Sequence, residues 1–267
     1  MRYSVIIPAR EQLSILDPCL ASVFRQTIKP YEVILVDDGC EVGADKLLTK
    51  YSSKFKVNAR YVVFPFKHDN WVGKPELSLV FNYGLDHMEL ENVDYFMILG
   101  SDTVLEPMYV EKLLSKIEWK TAVVSGVIVG ETEFKQPRGS GRLINAGWWL
   151  KYVKRFPLCW SWESYPLYKA LATDWRIQVV LEAIMKVKRA TRTHVYKRFY
   201  GYTMRELGYY PWYAFLKCIK AVISSPREGL GMLYTYLTSP YRVVDEDIAR
   251  WVRRWQVSRI ASLFSLR

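Results

Sequence analysis

Three short polar runs, each directly after an apolar β-type run, carry the residues best suited to chemistry. They are Pro8–Glu11, Asp37–Gly39 and Gly100–Thr103. In open α/β sheets, ligands bind beyond the carboxyl ends of the parallel strands, where such runs are expected to lie. One carboxylate can accept hydrogen bonds from a base or a ribose, and another can hold Mg²⁺ or Mn²⁺ against a diphosphate. The three runs therefore indicate a nucleotide site.

Each run also has a structural interpretation. Asp38 precedes a glycine and is a common turn residue, and Asp102 can end a strand before a helix that begins near Pro107. The order and spacing of three acidic loops favour the nucleotide interpretation over three independent turns.

The segments between these runs alternate strand-like and helical patterns. Continuously apolar runs are typical of parallel strands covered on both faces. The predicted strands are 5–7, 33–36, 61–64, 95–99 and 122–129, and the predicted helices are about 13–26, 44–51, 74–88 and 108–117. This order predicts a doubly wound, mainly parallel α/β sheet.

The ordered motifs resemble those of the family 2 inverting glycosyltransferases, which have the GT-A fold. The resemblance covers about residues 3–130 and is only scattered through about residue 200. The matching stretches are the first strand and loop, Val5–Glu11; the Asp-Asp-Gly turn, Pro30–Gly39; Gly73-Lys74 with Phe81–Leu85; and the Asp-x-Asp region, Tyr95–Pro107.

The resemblance implies a donor site for a UDP- or GDP-type nucleoside-diphosphate sugar. The residues that would contact the nucleoside are Pro8, Ala9, Glu11 and Asp38, with Asp38 reading the base. Lys74 would lie near the base or the diphosphate, and Ser101 would belong to the donor site. Asp102 would ligate Mg²⁺ or Mn²⁺, which stabilises charge on the leaving diphosphate.

Two positions depart from the family pattern. Gly100 replaces the first Asp of Asp-x-Asp, although Mg²⁺ can still be held by Asp102, waters and diphosphate oxygens. Inverting transfer also needs a carboxylate that accepts the proton of the acceptor hydroxyl. The Glu-Asp pair that supplies it in the family is Glu163-Ser164 here. We therefore expect Glu163 to be the catalytic base.

Glu163 has alternatives. Asp174 is a weaker candidate for the base, and Glu163 can instead cap a helix. A position between Trp160 and Trp162 would shield the Glu163 carboxylate from water, which suits a base working near neutral pH.

The second half of the chain is basic and aromatic. Residues 136–267 contain 23 of the 38 Lys and Arg, only 8 of the 27 Asp and Glu, and eight of the ten tryptophans. An anionic or amphiphilic partner and a solvated basic surface both explain this composition. We predict a GT-A domain over residues 1–200, with a donor-binding half at about 1–130 and an acceptor side at about 131–200. A basic amphipathic helical extension follows at 201–267.

Several features of the basic half suggest ligand contacts. Residues 136–142 predict a mobile loop whose Arg138 and Arg142 could close over an anion, with a simple surface connection as the alternative. Trp148 and Trp149 could stack on an acceptor or pack in the core. From Trp148 onward the pattern predicts mostly helix.

The run Lys186–Arg198 is the strongest cluster of positive charge. Arg192, His194, Lys197 or Arg198 could clamp the donor diphosphate, and His194 is a further candidate metal ligand. A solvated basic face is the alternative.

Two segments suit an anionic membrane surface. The final helix, near 244–264, places Ile248, Trp251, Val252 and Trp255 on one face, and the segment 211–225 is also amphipathic. The alternative is a helix packed on the protein with its arginines in water. A lipid-linked or glycan acceptor would suit the membrane interpretation.

Cysteine spacing, the amino-terminal pattern and the lengths of the apolar runs bear on localisation. The four cysteines show no metal-ligand spacing, the first residues lack a signal-peptide layout, and no apolar run reaches about 18 residues. We expect a cytoplasmic protein, with peripheral attachment to the membrane as an option.

Two other functions are weighed against glycosyl transfer. A nucleotide-sugar-binding protein that has lost catalysis is suggested by Gly100 and Ser164. A nucleic-acid binder is less favoured, because zinc spacing and RNA-binding aromatic motifs are missing from the sequence.

Overall fold

The computed structural model describes residues 1–10, 12–66, 74–131, 136–188 and 197–264. The chain divides into two compact units. Unit 1 comprises residues 1–70, 77–156 and 175–190, and unit 2 comprises residues 71–76, 157–174 and 191–267. The predicted functional boundaries at residues 130 and 200 stay predictions.

Unit 1 is built on a mixed eight-stranded sheet. Its strands are β1 (Tyr3–Ala9), β2 (Glu32–Asp37), β3 (Asn58–Val63), β4 (Tyr95–Ile98), β5 (Thr103–Leu105), β6 (Thr121–Ile128), β7 (Arg142–Asn145) and β8 (Arg176–Val187). Their order is β3-β2-β1-β4-β7-β6-β8-β5. The pairs β1–β2, β1–β4, β2–β3 and β6–β8 are parallel, whereas β7 and β5 pair antiparallel to their neighbours. The predicted mainly parallel α/β sheet is confirmed.

Helices connect and cover these strands. They are α1 (Leu13–Phe24), α2 (Ala44–Phe55), α3 (Leu77–Asp86), α4 (Tyr109–Lys116) and α5 (Ala146–Tyr152). The side chains of Val5–Ile7 and Val33–Val36 are completely buried, on both faces of the sheet. Burial on both faces explains why these strands are continuously apolar instead of alternating.

β8 corrects the prediction of helix after Trp148. The segment is rich in good helix formers, among them Leu181, Glu182 and Met185, and its local propensity is therefore misleading. In the structure it pairs with β6 on one side and β5 on the other. Pairing with two distant strands outweighs the local preference.

The two arginines of the predicted mobile loop serve the structure. Arg142 begins β7 and is 2% exposed, and its Nε donates to the carbonyl of Arg138 at 2.6 Å. The Arg138 guanidinium lies 2.6 Å from the Glu131 carboxylate. The prediction that both arginines close over a ligand is therefore wrong for Arg142, whose charge is buried in the fold.

Trp148 and Trp149 are core residues. They are 1% and 0% exposed, and the Trp149 ring lies edge-on to Phe96 at 5.2 Å between ring centroids. An acceptor cannot stack on either ring in this structure, so the packing interpretation holds.

Unit 2 contains the helical carboxyl-terminal part that was predicted. Its helices are α6 (Tyr165–Ala172), α7 (Tyr200–Glu206), α8 (Pro211–Ser224), α9 (Pro226–Thr238) and α10 (Glu246–Phe264). Pro211 and Pro226 occupy the first turns of α8 and α9, where the missing N–H costs nothing. Among the described residues, no helix combines the length and apolarity needed to cross a membrane.

α10 packs against protein along the face that was predicted to meet lipid. Ile248 and Val252 are each 1% exposed, and the Oε1 of buried Gln256 accepts from the Tyr210 N–H at 3.0 Å. Lys169 on α6 lies 2.7 Å from Asp245, just before α10. The lipid-facing prediction is therefore wrong for Ile248 and Val252, which are covered, whereas Trp251 and Trp255 are half-buried.

Candidate functional site

Unit 1 brings the first two polar runs together. Parallel pairing places Ala9 opposite Asp37, and the Asp38 N–H donates to the Ala9 carbonyl at 2.8 Å. Ala9 is buried, whereas Pro8 and Asp38 are half-buried. These three predicted nucleoside contacts thus lie at two adjacent strand ends.

Asp37 organises the turn that carries Asp38. Its Oδ1 accepts from the N–H groups of Gly39 at 2.8 Å and Cys40 at 2.6 Å, and its Oδ2 accepts from the Tyr61 hydroxyl. Burial raises the pKa of Asp37, but these hydrogen bonds outweigh burial and hold that pKa below its ordinary value. The turn role that sequence allowed for Asp38 is performed by Asp37.

Gly39 is required by the geometry of this turn. Its φ of +101° lies in a region that side chains disfavour, and a Cβ there would lie 3.7 Å from the Arg10 side chain. The turn therefore brings Arg10, at the end of β1, beside the Asp-Asp-Gly segment.

The third run follows β4, the neighbour of β1 on its other side. The Leu99 N–H donates to the Ile6 carbonyl at 3.0 Å, which extends the parallel pairing. The Ser140 hydroxyl then accepts from the Gly100 N–H at 2.8 Å and bonds the Thr103 hydroxyl at 2.7 Å. We name the ends of β1, β2 and β4, with Asp38 and Asp102, the acidic edge.

Asp102 is a half-buried carboxylate at this edge, next to Ser101, which is 7% exposed. Burial raises the pKa of Asp102, and hydrogen bonds from its own N–H and from Thr103 offset part of that effect. A Cβ at Gly100 would lie 3.1 Å from the Asp102 Oδ1. The loop thus presents one carboxylate, and an added Cβ at Gly100 would be in tight contact with it.

One carboxylate fits a divalent ion that takes most of its ligands from elsewhere. Among the described residues there is no group of three His, Cys, Asp or Glu side chains arranged to hold a metal. Mg²⁺ commonly binds through one or two carboxylates, substrate phosphates and waters. Asp102 fits such an ion when a diphosphate supplies further oxygens.

Lys188 lies at this edge; it belongs to the basic run Lys186–Arg198 but was not among the residues predicted to contact the diphosphate. Its N–H donates to the Asp102 carbonyl at 3.0 Å, and its Nζ donates to the Ser14 carbonyl at 3.3 Å. Only the strand pairing of β8 with β5 places it beside Asp102. Correct prediction of β8 as a strand would have revealed this cation.

Two predicted site residues belong to unit 2. Lys74 is exposed and precedes α3. Glu163 is also exposed and lies two residues before α6, and its predicted burial between Trp160 and Trp162 is wrong. Asp174, the alternative base, follows α6 with a φ of +59° and is not inside a helix.

Buried Glu206 holds the segment that leads to Glu163. Its two carboxylate oxygens accept from the N–H groups of Trp160 at 2.9 Å and Ser161 at 2.8 Å. Burial raises the pKa of Glu206, and these two hydrogen bonds offset part of the rise. Glu206 is far from Glu163 in sequence, so no local pattern could have identified this support.

Of the remaining predicted ligand contacts, some lie outside the described residues and others contact the protein itself. Glu11, Arg192 and His194 lie outside the described residues, so their predicted roles stay predictions. Lys197 pairs with Glu228 at 3.1 Å, and Arg198 lies over the Phe199 ring at 4.7 Å.

The comparison with protein families gives a match over most of the chain. The sequence profile of the family described as Glycosyl transferase family 2 matches residues 4–173, a range that includes the acidic edge and Glu163. No curated protein matches the chain in sequence.

Solved structures share the fold at low identity. The mannosyltransferase PcManGT from Pyrobaculum calidifontis, in complex with GDP-Man and Mn²⁺, is 12% identical with a TM-score of 0.60, and the match covers 90% of this chain and 88% of that one. TarS 1–349 from S. aureus, in complex with UDP, is 16% identical with a TM-score of 0.57, covering 89% and 71%.

A third similar structure is the glucosyl-3-phosphoglycerate synthase from Mycobacterium tuberculosis, in complex with Mn²⁺, UDP and phosphoglyceric acid. It is 13% identical with a TM-score of 0.57, covering 76% of this chain and 77% of that one. The match spans only 43% of the longer S. aureus TarS chain. These similarities confirm the predicted GT-A type of sheet.

Proposed function

Because the chain belongs to glycosyl transferase family 2, we propose that it moves a sugar from a UDP- or GDP-type donor to a lipid-linked or glycan acceptor, with inversion at the anomeric carbon. The observation that carries the proposal is the acidic edge. It has Asp38 after β2 and Asp102 after β4, the two strands that flank β1, inside the matched region. The similar structures bind UDP or GDP-Man, which supports this class of donor.

Each residue of the acidic edge has a part in the proposed donor site. Pro8, Ala9 and Asp38 receive the nucleoside, and Asp37 holds Asp38 in position through the turn. Asp102 holds Mg²⁺ or Mn²⁺, and Ser101 and Lys74 complete the donor contacts. The ion, when bound, neutralises negative charge on the leaving diphosphate.

Glu163 is the proposed base. A carboxylate that accepts the proton of the acceptor hydroxyl increases the nucleophilicity of the attacking oxygen. Glu163 is exposed and therefore accessible to an acceptor, and Glu206 fixes the segment before it. Ser164, at the N-cap position of α6, cannot replace a carboxylate in this role.

Nucleotide binding is the first test. The melting temperature is measured with UDP, GDP, CDP and ADP, each with and without Mn²⁺. One diphosphate should stabilise the protein most, and Mn²⁺ should increase that stabilisation. Asp102→Asn should remove the increase, whereas Asp45→Asn, an exposed control on α2, should not. Equal responses to all four diphosphates would refute the donor site.

Transfer is the second test. The protein is incubated with sugar nucleotides of the preferred base and a panel of polyprenyl phosphates and oligosaccharides, and product and anomeric configuration are determined. Glu163→Gln should nearly abolish transfer, and the exposed control Glu246→Gln on α10 should not. A retained anomeric configuration would refute inversion.

The second candidate function is that of a nucleotide-sugar-binding protein that has lost catalysis. Gly100 and Ser164, which stand where the family has carboxylates, favour it. A protein of this kind would bind the sugar nucleotide through the acidic edge, with neither transfer nor hydrolysis across the acceptor panel. Nucleotide binding together with inert chemistry would therefore replace the first proposal with the second.

A further inference from the structure

The outer face of α8 is apolar, where a surface helix usually carries polar residues. Ala214 and Cys218 on its inner face are buried. The outer residues, at spacings that define one helix face, are Trp212, Phe215, Leu216, Ile219 and Ile223, with exposures from 41% to 80%. Such a row is unusual for a face that meets only water.

α9 continues this exposed apolar surface. Leu230, Tyr234 and Leu237 are 58% to 66% exposed. One residue, Ser225, separates the two helices, and a Cβ at Gly229 would come within 2.2 Å of the Val222 nitrogen, so the helices are in close contact. We name the exposed apolar residues of α8 and α9 the apolar hairpin.

The inner side of the hairpin is already packed. Met232 and Tyr236 on α9 are buried, and a Cβ at Gly201 on α7 would lie 2.3 Å from the Met232 carbonyl oxygen. The hairpin therefore has a fixed orientation, with its apolar residues directed outward.

The exposed charges of the hairpin are basic. Lys220 and Arg227 are exposed, whereas the acidic residue of these helices, Glu228, is ion-paired with Lys197 at 3.1 Å. Across a symmetric contact between two copies, these positive charges would repel each other. An anionic surface would instead attract them.

A basic cleft of about 600 Å³ adjoins the hairpin. Its lining residues are Ala172, Tyr210, Asp247, Arg250, Arg253 and Arg254. Asp247 is shared between Arg250 and Lys169, at 2.5 and 3.2 Å, so the cleft stays positive. We name it the arginine cleft.

Tyr210 connects the two features. Its ring stacks on Trp212 at 5.9 Å between centroids, and the Arg253 guanidinium lies 5.9 Å from the centre of the same ring. Arg253 is held by the Gly208 carbonyl at 2.9 Å. Cationic groups thus lie beside an apolar surface, with aromatic rings between them, which is the arrangement that suits a lipid–water interface.

We propose that unit 2 binds the surface of an anionic phospholipid bilayer. The apolar hairpin enters the boundary between headgroups and acyl chains, and the arginine cleft binds lipid phosphate. The apolar part of this surface differs from the sequence-based expectation, because α9 joins α8 there, whereas α10 contributes the arginines of the cleft. This binding is independent of glycosyl transfer, so either proposal can fail alone.

The test is co-sedimentation of the full chain with vesicles of phosphatidylcholine alone, or with about one-third phosphatidylglycerol. We expect binding to the anionic vesicles that weakens as salt is added. Phe215→Ser with Leu216→Ser should weaken it at least tenfold. Trp119→Ser with Leu181→Ser, a control at exposed apolar positions of unit 1, should leave it unchanged.

The arginine cleft is tested by Arg250→Gln with Arg254→Gln. Each lost charge should weaken binding to anionic vesicles about fivefold. Lys46→Gln with Lys50→Gln, which removes two exposed charges of unit 1, should have less effect. Circular dichroism and the melting temperature establish that every variant is folded.

Three outcomes would overturn the proposal. The first is equal sedimentation with neutral and anionic vesicles, or none with either. The second is a dimer in analytical ultracentrifugation that Phe215→Ser with Leu216→Ser dissociates, without vesicle binding. The third is binding of inorganic pyrophosphate that depends on Arg250 and Arg254 while vesicle binding does not.

Discussion

The hydrogen bond between Asp37 and Tyr61 offers a sharp test of how the acidic edge is built. The Asp37 Oδ1 accepts both backbone N–H groups of the turn, whereas Oδ2 accepts from the Tyr61 hydroxyl. The Cys40 side chain also forms a hydrogen bond with this carboxylate. Asp37→Asn can therefore keep the turn through its remaining Oδ1, while the Tyr61 hydroxyl loses its negatively charged acceptor. Tyr61→Phe removes the same bond from the other side.

The expected loss follows from the exposure of the pair. A hydrogen bond to a charged group contributes about 1.5–3 kcal/mol when buried. Both side chains are half-buried, so solvent screening reduces the figure to about 1 kcal/mol. Each variant should lower the free energy of unfolding by about that amount, or the melting temperature by about 2–4 °C. The double variant should cost less than the sum.

The pH dependence separates this interaction from general destabilisation. The pKa of Asp37 is lower in the folded state, so the unfolded chain binds the proton more tightly. The contribution is fully present above the ordinary Asp range and is lost as pH falls through the folded pKa. The difference in stability between wild type and Asp37→Asn should be large at pH 7 and should shrink as the pH falls below the ordinary Asp range.

Urea unfolding of the four proteins between pH 3 and 7 measures all these quantities. Asp38→Asn is the control, because it should weaken nucleotide binding without this loss of stability. Additive effects of Asp37→Asn and Tyr61→Phe at pH 7, or a difference that does not change with pH, would refute the reasoning.

Three further predictions concern the metal, the base and the fold of unit 2. Mn²⁺ alone should not stabilise the nucleotide-free protein, and Asp102→Asn should remove only the Mn²⁺-dependent part of nucleotide stabilisation in thermal melts. Glu163→Gln should lower the transfer rate by about 10²–10⁴ while nucleotide affinity is unchanged; transfer at the wild-type rate would exclude Glu163 as the base. Lys169→Met should cost about 3 kcal/mol in urea unfolding, because it leaves the Asp245 carboxylate without its cation in a site where both side chains are little exposed. Burial raises the pKa of Asp245, but hydrogen bonds, chiefly the one from Lys169, lower that pKa overall. The wild type should therefore lose this stability as the pH falls below the ordinary Asp range. A Lys169→Met variant as stable as wild type at pH 7 would contradict the argument.

The parts of the fold that sequence predicted are those that local pattern determines. β1, β2 and β4 are buried by helices on both faces, so their apolar runs stand out. The polar runs that follow them are equally visible, because strand ends meet solvent. The amino-acid pattern alone was therefore enough to assign Asp38 and Asp102 to one edge of the sheet.

The parts that sequence missed depend on partners far along the chain. β8 contains good helix formers and becomes a strand only by pairing with β5 and β6. Lys188 reaches Asp102 only through that pairing, and Ser140 reaches Gly100 across forty residues.

The exposure of an amphipathic helix face also cannot be predicted from the local sequence. Periodicity identifies an apolar face, but only packing decides whether that face is covered, as in α10, or exposed, as in α8.

Gly100 shows how geometry changes the meaning of a departure from a family pattern. In the sequence, Gly100 stands where the family has the first Asp of Asp-x-Asp, so one carboxylate is missing. In the structure, a Cβ there would lie 3.1 Å from the Asp102 Oδ1 and 3.4 Å from the Ser140 hydroxyl, so a larger residue would require these side chains to shift slightly.

The loop itself carries one carboxylate, that of Asp102, so we expect the ion to take further ligands from the diphosphate of the donor. Metal and nucleotide should then bind cooperatively, each raising the affinity for the other by the same factor. Titration of Mn²⁺ at several UDP or GDP concentrations measures that factor. Mn²⁺ affinity that does not change with nucleotide would show that the protein supplies further ligands itself, and would contradict a metal site completed by its substrate.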